Sequence, residues 1–282
     1  PFGIGRRALD GLRDTPDLLE SASLIDMPYV GSANDSVQAA RRLQASGAGC
    51  LVVLGGDGTC RAVAKGCGDV PILAVSTGTN NVVPSFIEGT VAGAAAAYVA
   101  GLPAAARETV CDRHKRLLVM VNGERVDQAL VEVALVRSGF VGARAIWEAE
   151  RLRQVFVTRA QPVNIGLSST IGVLHPVDPR APLGAVASIS RDARHVMAPL
   201  APGTFARVGV EHIADLEPEV PVPVDAVRPV VLGLDGEREI VLYEGDEAEV
   251  MLDLSGPWIV DGRRALQAAV DEGQFLCADR DT

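Results

Sequence analysis

Apolar positions fall at helical spacing first and in unbroken runs soon after. Val37, Ala40 and Leu43 share one face of a segment that Asp35 or Ser36 caps and that runs to about Ser46. Gly47 and Gly49 end it. Residues 50–54 are continuously apolar, as in a strand buried on both faces of a parallel sheet. Gly55-Gly56-Asp57-Gly58-Thr59 comes next, then a helix through Val63 and Ala64. Residues 71–75 predict a second buried strand, residues 76–81 a loop, and an Ala-rich helix spans about 88–100. This βαβα order implies an open α/β sheet.

The texture changes near Arg107. Residues 117–121 and 129–136 read as strands, with the turn signal Asn122-Gly123 between them. A charged helix is expected over about 145–159. Short β-rich runs then recur at 185–189, 206–210, 230–234, 239–243 and 248–254, bordered by Gly or Pro. Such spacing suggests a β-sandwich-like unit. A last helix, about 261–271, is amphipathic with Leu266 and Val270 expected inward.

Composition narrows the function classes. The chain has 282 residues, a length that fits about two domains. With 48% hydrophobic residues it is no disordered chain. Its 26 basic and 36 acidic side chains leave a formal charge of −10. That argues against nucleic acid as a partner and against attraction to anionic membranes. Residues 89–106 are uncharged but too weakly apolar for a membrane span, so no integral membrane contact is expected. The basic residues include only two lysines, Lys65 and Lys115, and no G-x-x-x-x-G-K-[ST] stretch occurs. Phosphate chemistry would therefore rest on Arg, main-chain N–H groups or a metal. Five cysteines without a C-x-x-C pair, and no secretory leader, point to reduced thiols in a cytoplasmic protein. No His or Cys stands at metal-ligand spacing, so no resident metal site is expected. The chain opens on Pro rather than Met, as expected of a fragment.

Gly55-Gly56-Asp57-Gly58-Thr59 is the strongest local signal. It lies where a strand turns into a helix, and its glycines let the main chain bend tightly and approach a ligand. Successive N–H groups at the start of the following helix form a site for anions. A carboxylate there is repulsive toward phosphate unless it has a task. Asp57 is suited to accept a hydroxyl proton or to interact with Mg²⁺; its alternative is to satisfy main-chain donors in a tight turn. Thr77-Gly78-Thr79-Asn80-Asn81 repeats the arrangement one strand later and opens on the same sheet edge.

G-G-D-G-T followed one strand later by G-T-x-N resembles the NAD kinase–diacylglycerol kinase superfamily, and most its bacterial ATP-NAD kinase-like branch, which includes acetoin-catabolism X proteins. The resemblance implies an α/β N-terminal domain, residues 1–106, with a parallel sheet and a nucleotide site. It also implies a β-rich, sandwich-like C-terminal domain, residues 107–282, with its last helix in reach of the first. The active site lies between them. By this resemblance Asp57 is the general base. Gly55, Gly56, Gly58 and Thr59 form the phosphate-binding turn, and Gly78, Thr79, Asn80 and Asn81 line the nucleotide. Ala129-Leu130-Val131-Glu132-Val133 resembles the A-L-N-E-V of NAD kinases, which gives Glu132 a role in holding the dinucleotide. Leu234-Asp235-Gly236-Glu237 resembles the D-G-E of lipid kinases, which makes Glu237 a second catalytic candidate. ATP with Mg²⁺ is the implied cofactor, NAD the implied acceptor, and a homo-oligomer the implied assembly.

Departures from the pattern are specific. Val131 stands at the Asn of the N-E pair, Ser76 at an Asn before the glycine loop, and Val82 at the Asp after G-T-x-N. P-T-G-S-T-A-Y is absent, with Ala201-Pro202-Gly203-Thr204 a poor substitute. Three readings therefore stay open: an NAD kinase, a kinase of another small-molecule or lipid-like hydroxyl, and a nucleotide-binding regulator without turnover. Asp235-Gly236 reads equally as a hairpin turn. Each of the four histidines reads as a surface or structural residue, and Trp147 and Trp258 read as packing residues.

Overall fold

The computed structural model describes residues 14, 15, 17, 20–137, 151–225, 229–236 and 238–277. Helix α1 (Ala33–Ala45) starts earlier than its sequence signal. Ser32 is the N-cap and Asp35 is the third helical residue, whose carboxylate accepts main-chain N–H bonds from Val30, Gly31 and Ser32. Asp35 thus closes a capping box rather than opening the helix.

Strand β1 (Leu51–Gly55), helix α2 (Asp57–Ala64), strand β2 (Ile72–Ser76) and helix α3 (Gly89–Gly101) follow in the expected order. A 3-10 turn (Ala104–Thr109) leads into β3 (Cys111–Arg113). β1 and β2 pair in parallel, Leu51 opposite Ile72 through Gly55 opposite Ser76. β2 is buried on both faces: Ile72 and Ala74 meet the side of α1 and α2, and Leu73 and Val75 meet the side of α3. β1 is not. It is an edge strand, and Val52 and Leu54 are 46% and 63% exposed. A fully apolar run therefore did not mean two covered faces.

The C-terminal segment returns to this sheet. β14 (Trp258–Val260) pairs parallel to β2 and antiparallel to β3, completing the order β1-β2-β14-β3. Helix α5 (Gly262–Asp271), capped by Asp261, packs on α3 and buries Ala265 in the shared cluster. Val270 is exposed, so the buried stripe lies one position earlier than hydrophobicity alone suggests.

Two sheets build the rest. β10 (Pro221–Pro223), β13 (Ala248–Asp253), β4 (Arg116–Val121) and β5 (Glu124–Ala129) form one. β12 (Arg238–Leu242), β11 (Val230–Leu234), β6 (Glu132–Arg137), β7 (Leu152–Val157), β8 (Gly184–Ala201) and β9 (Thr204–Leu216) form the other. Leu117, Val119, Val250 and Leu252 face Val133, Leu135, Phe156 and Leu232 in the sandwich core. The opposite face of the six-stranded sheet is covered by the segment around the short helix α4 (Ser168–Gly172), through Leu167 and Ile171.

Asn122 and Gly123, both at positive φ, make the expected turn. They lead into β5, however, a polar strand without a hydrophobic signal. The apolar run over 129–136 is broken at Leu130 and Val131, where the chain passes from β5 to β6. The charged helix expected over about 145–159 is corrected where it is described: Leu152–Val157 is strand β7. Its Val155, Phe156 and Val157 are buried, and this outweighs the helical charge pattern. Residues 138–150, with Trp147, lie outside the described residues. Among the described residues no helix is long and apolar enough to cross a membrane.

Candidate functional site

Gly55 ends β1 and Gly56 caps α2, so Asp57 enters the first helical position at the carboxyl edge of the sheet. The turn is tight. A Cβ on Gly55 would stand 2.6 Å from Thr59 Oγ1, and one on Gly56 would stand 2.7 Å from Asn81 Oδ1. A side chain at Gly55 would drive into Thr59, and one at Gly56 would displace the Asn81 amide.

Asp57 ties this loop to the next one. Val82 N–H donates to both its oxygens, at 3.1 and 2.9 Å, and Val83 N–H donates to Oδ1 at 2.8 Å. The carboxylate is buried and fixed, yet it lines a cavity of about 320 Å³. Gly58, Asn80, Asn81 and Val82 share that wall. Asn81 is oriented by its amide bond to Ser76 Oγ at 2.8 Å. Gly78 lies behind Asn81, its virtual Cβ 3.1 Å from the amide nitrogen. Thr79 is exposed, and neither Gly78 nor Thr79 lines the cavity.

The opposite wall comes from the β-rich part: Val131, Glu132, Ile165, Gly166, Asp235 and Gly236. Asp235 is buried at positive φ, just after β11. Its carboxylate accepts N–H bonds from Leu130, Val131 and Glu132 at 2.9, 2.9 and 3.1 Å. It is therefore more than a hairpin turn: it satisfies the donors exposed where the chain steps from β5 to β6. Arg61 of α2 reaches across to it, Nε to Oδ2 at 3.5 Å, and also approaches Asp127 at 3.6 Å. Lys65 pairs with Asp127 as well. These contacts join the two walls of the cleft.

Burial, with the Asp235 carboxylate next in importance, pushes Glu132 up to about 8. Burial pushes Asp235 up to about 6, against the opposing pull of its main-chain donors and Arg61. Glu132 thus carries its proton at neutral pH. Its Oε2 accepts Ser168 N–H at 2.7 Å. The cavity lining brings together three carboxyl groups, two side-chain amides and main-chain atoms, with no basic side chain among the described residues.

Asp57, Gly58, Asn80, Asn81 and Glu132 therefore meet around one cavity, while Gly55, Gly56 and Thr59 shape the turn behind it. Glu237 lies outside the described residues. Ala201-Pro202-Gly203-Thr204 forms the tip of the β8–β9 hairpin and does not line the cavity. Sequence reasoning missed Ile165, Gly166 and Ser168. Their signal was the small, polar run N-I-G-L-S-S that follows the apolar strand β7, a third strand-to-loop junction like the two recognised. Arg61 left no local signal.

The N-terminal part, residues 13–102, matches the family model of the ATP-NAD kinase N-terminal domain. Residues 115–255 match that of the acetoin catabolism protein X C-terminal domain. Acetoin catabolism protein X of Cupriavidus necator is 38% identical over 249 residues, which span 85% of this chain and 68% of that protein. The chain belongs to the acetoin catabolism protein X family. Its N-terminal part is NAD kinase-like, and the chain as a whole is an α/β part with a parallel sheet followed by a β-rich part. Among solved structures it is similar to yeast NADH kinase complexed with NADH, at TM-score 0.45 and 16% identity over 83% of this chain and 69% of that one. It is also similar to an NAD kinase from Archaeoglobus fulgidus in complex with ATP, at TM-score 0.33 and 13% identity over 81% and 84%. Likeness at that level carries no chemistry.

Proposed function

We propose that this family member transfers a phosphoryl group from ATP to a hydroxyl, with NAD the preferred acceptor. The observation that carries the reading is the position of Asp57. It stands at the head of α2 and at the carboxyl edge of the sheet, is fixed by two main-chain donors, and faces a cavity between the two parts of the chain. In this reading the acceptor oxygen bonds to the γ-phosphorus. The bond from that phosphorus to the β,γ-bridging oxygen breaks, ADP leaves with the electron pair, and the hydroxyl proton passes to Asp57. Asn80 and Asn81 orient the acceptor, and Glu132, protonated, donates a hydrogen bond to it. Positioning carries most of the rate. Among the described residues no group of three or more His, Cys, Asp or Glu side chains converges on a metal position. In this reading Mg²⁺ arrives with the nucleotide.

A second reading, a nucleotide-binding regulator without turnover, is favoured by one observation. Both oxygens of Asp57 are engaged by the main chain, so the residue has a structural task whether or not it reacts. Calorimetric titration of the chain with NAD, with and without Mg-ATP, followed by analysis for NADP, separates the two. NAD binding with NADP formed is the expected result. Binding without product under any nucleotide would establish the regulator, and ATP binding without NAD binding would move the search to other hydroxyls.

A further inference from the structure

Beyond Val83 the chain forms a larger groove, about 720 Å³, within the size range of sites for small organic ligands. It adjoins the smaller cavity. Val82 lines the one and Val83 the other, and the N–H groups of both bind Asp57. Asp57 thus stands at the partition. The groove has the opposite chemistry to the cavity: Arg113, Arg159, Arg180 and Arg263 line it, against Asp112, Asp178 and Asp261.

Two of those acids are already engaged. Asp112 is held by Arg180 at 3.2 Å and by Arg264 at 2.7 Å, and Asp261 caps α5 and pairs with Arg264. Among the described residues Arg159 has no ion pair of that kind, although Asp57 and Asp178 lie near enough to act on its charge. Its Nη1 lies 3.0 Å from His114 Nε2, and its buried Nε has no hydrogen-bond partner among the described residues. His114 Nδ1 faces the Lys115 carbonyl, which assigns the ring proton to Nδ1 and leaves Nε2 as acceptor from Arg159. The imidazole is neutral, because burial and Arg159 push it down to about 3. Burial disfavours the charged guanidinium, and the Asp57, Asp178 and Asp112 carboxylates favour it without an ion pair among the described residues, so an anion in direct contact would complete it.

The rim is built as well. Lys115 Nζ binds the carbonyls of Asp178, Ala181 and Leu183 at 2.7–2.9 Å, which fixes the loop that carries Arg180. Arg113 lies over the Trp258 ring at 5.0 Å. The lining also has an apolar part, Phe86, Val91 and Leu266, in which Phe86 is 82% exposed. Guanidinium groups and an open aromatic ring lining one groove match a ligand that carries both phosphates and a flat base.

We infer that this groove binds a nucleoside polyphosphate, with Arg159 on the phosphate nearest Asp57, Arg180 and Arg263 on the outer phosphates, and Phe86 against the base. The inference rests on the phosphoryl-transfer reading only for the ligand's role as donor. The hydroxyl acceptor then enters the smaller, carboxyl-lined cavity.

Titration of the full chain with inorganic triphosphate and, separately, with ATP tests this. Arg180→Ala and Arg263→Ala should each weaken triphosphate binding about three- to tenfold, and Arg159→Gln more than tenfold. Phe86→Ala should weaken ATP and leave triphosphate unchanged; equal loss for both would remove the base from Phe86. If Arg159→Gln does not fold, the Arg180→Ala/Arg263→Ala double variant carries the test at the exposed rim. Absence of triphosphate and ATP binding by the wild type would overturn the inference, as would wild-type affinity in the double variant. Arginine-dependent binding without any phosphoryl transfer would keep the groove and overturn the kinase reading. Transfer with an unchanged KM for ATP in the double variant would overturn the groove and keep the kinase.

Discussion

In the smaller cavity the titratable groups are three carboxyls, held by main-chain N–H groups from neighbouring segments, whereas the groove beyond Val83 sets four arginines against three aspartates. The two spaces share one partition, the Val82–Val83 peptide bonded to Asp57. The contrast teaches how a chain with two lysines and net charge −10 can host phosphate chemistry. The local field is set by where guanidinium groups cluster, not by the overall balance. Both lysines are spent on structure: Lys65 on Asp127, and Lys115 on three carbonyls.

The comparison breaks most completely if the acid wall is removed at its anchor. Asp235→Ala strands three main-chain donors and leaves Arg61 facing only Asp127. A loss of about 3–5 kcal/mol is expected in denaturant unfolding, enough to disorder the cleft. Asp235→Asn retains acceptors and should lose less.

The protonation of the same wall gives the next effect. Glu132 sits at about 8 in the folded chain and near its ordinary value of 4.5 when unfolded. The folded state therefore holds the extra proton between those values. The stability it contributes is full below about 4.5 and is lost as pH rises through 8. Glu132→Gln should flatten the decline by up to about 1.4 kcal/mol per pH unit across that window, read from unfolding midpoints at several pH values. Asp235, raised to about 6, adds a similar decline over a narrower range. An unchanged slope in Glu132→Gln would place the proton elsewhere.

Gly56→Ala sharpens the comparison with the smallest expected change. The new methyl would meet Asn81 Oδ1 at 2.7 Å, a contact that the side chain relieves by swinging into the cavity. A cost of about 1 kcal/mol is expected, with weaker acceptor binding and unchanged triphosphate binding. Loss of both would show that the two spaces are one.

The legible parts of the molecule were the local ones. The helix-and-strand order of the first sheet, the glycine turn at Asp57 and the amide loop at Asn80 and Asn81 are each written in a few consecutive residues. What escaped depends on separation. Asp235 meets Leu130 and Val131 across more than a hundred residues, and Arg159 meets His114 across 45. No spacing in the chain announces either pair. The β5 strand escaped because Glu124, Arg125 and Asp127 hide its alternation, and the β3 and β14 strands because three residues carry no period. Charge misled once, at Leu152–Val157, where Arg and Gln precede a buried Val-Phe-Val.

The most direct measurement is transfer of the labelled γ-phosphoryl group of ATP to NAD, run side by side for the wild type and Asp57→Asn. The amide keeps the side chain's shape and most of its main-chain bonds, and circular dichroism checks the fold. Labelled NADP from the wild type, reduced about 10²–10⁴-fold in Asp57→Asn, is the result expected of a positioned base. Equal rates from the two proteins, or no label in NADP while NAD is bound, would contradict the account.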